Sequence, residues 1–149
     1  MNVRFNVIGV PAPQGSKTRM PNGAMVEGSS ATGRAKHRTW RQAVALEANH
    51  QRQLLEHCFS GPLFVAVVFR FPMPASRPAA LKRRVASGEI TGWKTSKPDL
   101  DKLARSIGDS LAEAGLIERD ELISQWTISK IEVPAGEWTG ATITIAELP

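Results

Sequence analysis

Asp99 and Asp101 stand two residues apart directly behind Lys97-Pro98, and a third aspartate follows in the run Glu118-Arg119-Asp120-Glu121. Proline drives its predecessor out of helical geometry, so Lys94 to Pro98 is expected to be extended and a helix to open at Asp99. Two carboxylates at such a start can aim at one point. Oxygen ligands of this kind suit Mg²⁺, which commonly binds through one or two carboxylates plus water and phosphate. Each aspartate also has a simpler use, because Asp is a favoured N-cap and complements the positive end of the helix dipole. One Asp accounts for a cap; the second is left over. For Asp120 the simpler use is an exposed charge in a turn. Arg105, one helical turn after Asp101, would simply be an i,i+4 partner worth roughly 0.3–0.5 kcal/mol.

The charge around this acidic segment is uneven. The net charge is +5 and the pI about 9.9. Residues 1–98 hold 15 Lys and Arg against 4 Asp and Glu, whereas residues 99–149 hold 4 against 10, so a basic majority carries an acidic remainder. Such a division suits a protein that grips phosphates with one surface and concentrates carboxylates elsewhere. The candidate phosphate contacts are Lys17, Arg19, Arg34, Lys36, Arg38, Arg77, Lys82, Arg83 and Arg84. For Lys82-Arg83-Arg84 a solvated helix face is the alternative.

With 149 residues and 42% hydrophobic content, residues 1–149 are expected to form one domain with a real core. The single cysteine, Cys58, excludes an internal disulfide framework and a Cys-based zinc site, and reads as a small buried apolar group at a helix end. His37, His50 and His57 have no ligand-like partners, and His50 and His57 read as surface residues sharing a helix face. No long apolar stretch follows Met1, and the longest apolar run, Leu63 to Phe69, is too short to cross a bilayer. No membrane association is expected, and the location follows as cytoplasmic.

Val3, Phe5 and Val7 alternate with Arg4, Asn6 and Ile8 as in a strand with one buried face. A Pro-, Gly-, Ser- and Arg-rich segment at about 11–38 then reads as either a mobile DNA-touching arm or a disordered stretch. Thr39 to His57 carries a helical stripe of Trp40, Val44, Ala48 and Leu55. Leu63 to Phe71, dense in β-branched and aromatic residues, is expected to be a central strand. A short basic helix at Ala79 to Ser87 is capped by Gly88. A second main helix runs from Asp99 to Gly115 on Leu100, Leu103, Ile107, Leu111 and Ala114. Leu122 to Val133 and Glu137 to Ala146 read as two strands of a hairpin turning at Pro134-Ala135-Gly136. The fold class is α+β, a single domain with a mixed sheet and two main helices.

Lys97-Pro98-Asp99-Leu100-Asp101-x-Leu103-x-Arg105, then Asp109-Ser110-Leu111, Gly115 and Asp120, resembles the signature of RusA-type Holliday-junction resolvases. In that family the pattern runs approximately D-x-D-N-L-x-K, then D-A-L, then a D-D pair. The opening Val10-Pro-Ala-Pro-Gln-Gly-Ser-Lys is similar to the Pro-rich start of many phage-borne members. The likeness spans residues 3–146, with its specific part at about 97–121. It implies a Mg²⁺-dependent (or Mn²⁺-dependent) endodeoxyribonuclease with a RusA-like fold. It further implies a homodimer that resolves four-way junctions by paired symmetric nicks in recombination and repair, in a bacterial or phage-infected cell. No small-molecule cofactor is implied. Asp99, Asp101 and Asp120 would be the catalytic metal ligands, and Arg105 falls where the family has a functionally important lysine. Three departures stand out: Lys102 replaces the usual Asn, Arg105 replaces Lys, and the acidic pair becomes Arg119-Asp120 followed by Glu121. Arg105 cannot be deprotonated, so its role would be electrostatic. The register of the third ligand stays open between Asp120 and Glu121.

Distance sets a further expectation. A helix from Asp101 to Ala114 is about 21 Å long, and the six residues back to Asp120 reach at most about 20 Å, part of it spent crossing to the sheet. Asp120 can only just return to the helix start, which favours a site near a subunit interface where Asp120 completes the partner's cluster. Lys130, about 33 Å of strand from Asp120, reads as structural or DNA-facing. A two-fold dimer matches the symmetry of a four-way junction. Two other readings are a branched-DNA-binding protein without catalysis and a metal nuclease acting on flaps or RNA.

Overall fold

In chain order the elements are β1 (Asn2–Ile8), β2 (Lys17–Arg19), β3 (Met25–Glu27), α1 (Ala31–Leu55), β4 (Leu63–Pro72), α2 (Ala79–Ala86), α3 (Leu100–Glu113), a 3-10 turn at Asp120–Leu122, β5 (Ile123–Val133) and β6 (Gly140–Glu147). The computed structural model describes residues 1–15, 17–19, 21–23, 25–27 and 31–149, with 17–19 and 25–27 given by their backbone. The main sheet has the order β1-β6-β4-β5, with β4 and β5 parallel and the other pairs antiparallel. This is the α+β, mixed-sheet architecture expected from the sequence. β2 and β3 form a separate antiparallel pair.

The dense apolar run became β4, an interior strand. Leu63, Val65, Val67, Phe69 and Phe71 are buried, while the alternate Val68 is exposed. Against the buried side pack Trp40, Val44 and Ala48 of α1 and Leu103, Ile107 and Leu111 of α3. Each fully buried side chain of this size is worth roughly 1.5–3 kcal/mol, several times an exposed ion pair. The apolar stripe therefore decides how α3 is rolled, and its charges are left on the outer side. A buried contact between His37 Nε2 and Ser106 Oγ (3.1 Å) and an ion pair from Arg41 to Glu113 (2.6 Å) join α1 to α3. Gly140, at φ +142°, starts β6 where a Cβ would overlap the Val7 carbonyl.

Four local expectations are corrected. α1 starts at Ala31 rather than Thr39, so Arg34, Lys36 and Arg38 ride on a helix. Its first two turns have no apolar stripe to announce them and are held by buried His37. β5 and β6 are not a hairpin: β4 lies between them and pairs with both. A Pro-Ala-Gly turn marks a change of direction without specifying which strand becomes the neighbour. His57 lies beyond the end of α1 and meets Glu147 at 3.3 Å, so it shares no helix face with His50. Cys58 is only partly buried and follows the helix rather than ending it.

Candidate active site

The segment that delivers Asp99 is tied to the outer edge of β5. Trp93 bridges Ile131 in antiparallel fashion, the Glu132 N–H donates to the Gly92 carbonyl at 2.6 Å, and the Lys94 N–H donates to the Lys130 carbonyl at 3.1 Å. Position 92 requires glycine, because a Cβ there would lie 2.7 Å from the Glu132 carbonyl oxygen. Lys130 Nζ then donates to the carbonyls of Ser96 (2.6 Å) and Pro98 (2.7 Å), on either side of the cis Lys97–Pro98 peptide. This agrees with the structural reading of Lys130. Its distance from Asp120 misleads about its distance from Asp99, since β5 runs back along α3 toward the helix start.

Asp99 is the N-cap of α3 in an extended conformation (φ −72°, ψ 142°), and its carbonyl accepts the Leu103 N–H at 3.2 Å. Its carboxylate makes no capping hydrogen bond, so the simpler use of this side chain is not realised. Asp101 projects from the first turn; both carboxylates are on exposed residues. Among the described residues neither is in an ion pair, and the i,i+4 pair of Asp101 with Arg105 is not formed.

Asp120 lies beside the middle of α3: its Cβ is 3.6 Å from where a Cβ on Gly108 would stand, next to Ile123 and Trp126. Seven residues of helix, about 10 Å along the axis, separate this level from Asp101. No group of three His, Cys, Asp or Glu able to hold one ion occurs among the described residues. The donor chemistry at Asp99 and Asp101 fits a hydrated divalent cation, which needs only one or two carboxylates from the protein. A three-carboxylate cage is not built within the described part of one chain.

The neighbour of Asp120 is Asp109, a carboxylate that sequence reasoning left as part of a motif. Burial pushes its pKa up, Arg41 pulls it down, Asp120 adds to the rise, Arg105 opposes it, and Glu113 adds a smaller upward push. The outer side of α3 is thus a polar stripe: Asp101, Arg105 and Asp109 at helical spacing, flanked by Asp120 and by the Arg41–Glu113 pair.

Of the basic candidates, Arg34, Lys36 and Arg38 are exposed on the first turns of α1, beside the first half of α3. A cleft of about 530 Å³ opens there, lined by Gln14, Arg34, His37, Arg38, Arg41 and Glu113. Arg77 is different, because its Nε and Nη2 grip both oxygens of buried Glu132 at 3.0 and 2.9 Å. That pairing marks it as a structural residue. On α2, Lys82 donates to the Ala75 carbonyl, Arg84 pairs with Glu89, and Arg83 is exposed. The side chains of Lys17 and Arg19 lie outside the described residues.

Residues 11–146 match the family model Endodeoxyribonuclease RusA. The chain is also 30% identical over 120 residues to a protein of Bacillus subtilis (strain 168) named Uncharacterized protein YqaN, covering 80% of this chain and 79% of that protein. The chain belongs to the RusA endodeoxyribonuclease family, as the residues from Lys97 to Asp120 imply, and is a hydrolase acting on DNA. The family acts on branched DNA and generally depends on a divalent metal. No helix among the described residues is long and apolar enough to cross a membrane.

Proposed function

We propose that this chain is a Mg²⁺-dependent resolvase that nicks four-way DNA junctions symmetrically as a homodimer, in the cytoplasm of a bacterial or phage-infected cell. The observation that carries the reading is the Asp99–Asp101 pair at the end of an anchored segment: both residues are exposed, neither is in an ion pair among the described residues, and the Asp99 carboxylate makes no capping bond. A divalent ion bound there supplies positive charge beside the scissile phosphate and lowers the pKa of a water. Arg105, fixed as a cation, adds electrostatic stabilisation and moves no proton. Arg34, Lys36 and Arg38, with Lys17, Arg19, Lys82, Arg83 and Arg84, hold backbone phosphates, so branch shape rather than base sequence guides binding.

Asp120 is the proposed third carboxylate, with Glu121 the alternative. Its offset from Asp101 within one chain supports a shared site, in which Asp120 completes the partner's pair. Mixing Asp101→Asn with Asp120→Asn subunits tests this: partial recovery of nicking is expected. No recovery under proven subunit exchange places the site within one chain. The reaction itself is tested on a synthetic four-way junction with Mg²⁺. Paired nicks are expected, while equal cleavage of linear duplex, or preference for flaps or RNA, overturns the junction assignment.

A further inference from the structure

We propose that Lys130 is a positioning residue for the divalent cation, acting through the backbone of the Asp99 segment; this rests on the reading that Asp99 and Asp101 hold that ion. Its ammonium has three donors, and two of them reach the Ser96 and Pro98 carbonyls at 2.6 and 2.7 Å. Both bonds are short, as expected for a charged donor. The same residue's carbonyl accepts the Lys94 N–H, so backbone and side chain of one β5 position hold three points of a single approach segment.

The surroundings explain why such a clamp matters. Thr95, Ser96, Lys97 and Asp99 are exposed, and the segment has no apolar side chain fully buried in the core to anchor it. Its shape depends on backbone bonds to β5 and on Lys130. Two carboxylates bind a shared cation well only if their spacing is set before the ion arrives; otherwise binding must first order them. Lys130 makes no ion pair with Asp99 or Asp101. Its charge is directed to neutral carbonyls, which leaves both carboxylates for the incoming cation. Lys130 thus orients the pair without competing for it, as outer-sphere partners do in metal sites.

The test uses the full chain and Lys130→Met, Lys130→Gln and Lys130→Arg, with Asp101→Asn as reference. Mn²⁺ binding without DNA is followed by the electron paramagnetic resonance of the free ion. Mg²⁺ half-saturation of junction nicking is measured in parallel, at temperatures where each variant is folded. Lys130→Met should weaken Mn²⁺ binding and raise the half-saturating Mg²⁺ roughly 10–100-fold. The maximal rate should largely recover at high Mg²⁺, and junction affinity in chelator should be unchanged. Lys130→Arg, which keeps charge and donors, should recover part of the metal affinity. If Lys130→Met does not fold, Lys130→Gln, able to bond one carbonyl, carries the same comparison. Unaltered Mn²⁺ affinity in a folded variant overturns the proposal, because a purely structural role would lower thermal stability and leave the metal titration in place. If the parent chain binds Mn²⁺ no better than Asp101→Asn does, the metal reading has failed, and the positioning role goes with it.

Discussion

Glu132 belongs to β5, Asp99 and Asp101 follow the segment tied to the edge of that strand, and the chain treats them in opposite ways. Glu132 is 4% exposed and held by two bonds from Arg77, while its backbone N–H donates to the Gly92 carbonyl of the approach segment. Asp99 and Asp101, further along that segment, form no ion pair among the described residues. A buried carboxylate needs a matched partner because desolvation penalises its charge. Two carboxylates left bare at one helix start repel each other, and a cation from outside relieves that repulsion. On the proposed reading, the contrast separates an acidic residue that holds the fold from two that serve chemistry.

The strongest way to break the contrast is Asp101→Asn. Junction nicking should fall by at least about 100-fold, the upper end of what losing even an outer-sphere partner costs. Junction binding in chelator should persist, and comparable nicking by the variant would return Asp101 to the role of a plain surface charge. Arg38→Ala should weaken binding to all DNA forms alike and reduce the slope of log K against log salt by about 1. An unchanged slope removes α1 from the DNA surface.

Glu132→Gln sharpens the other side of the comparison. It should lower the thermal midpoint by several degrees, with the Mg²⁺ dependence of nicking unchanged below that midpoint; a shifted metal dependence would join the two acidic sites functionally. The smallest effect concerns Asp109, whose folded pKa is raised mainly by burial. The native state then binds its proton more readily than the unfolded chain, so the penalty is absent below the ordinary carboxylate pKa of about 4 and grows as pH rises through the folded value. Metal-free Asp109→Asn should accordingly melt slightly above the parent at neutral pH, with the gap closing in acid. A gap that widens in acid would reverse the sign.

What could be read from residues alone followed local physics. The stripe Leu103, Ile107 and Leu111 announced α3, and the β-branched run announced β4, since both patterns follow directly from helix and strand periods. The start of α1 was hidden because Ala31 to Arg38 has polar side chains and a glycine where a stripe would be expected. Strand order was hidden for a different reason: β4 inserts between β5 and β6, a pairing across the chain that no turn motif encodes. The same non-locality concealed Lys130. Counting strand residues from Asp120 placed it far from one aspartate, while the return of β5 along α3 placed it next to the approach to the other.

β5 therefore works as a gauge block. Asp120 precedes its first residue, and the clamp on the Asp99 segment sits at Lys130, so the number of residues between them sets the gap between the two halves of the acidic surface. Adding two residues between Ile123 and Lys130 would keep every side chain on its own face of the sheet but lengthen that gap by about 7 Å. The spacing from Asp120 to Lys130 should accordingly tolerate changes of residue type far better than changes of length.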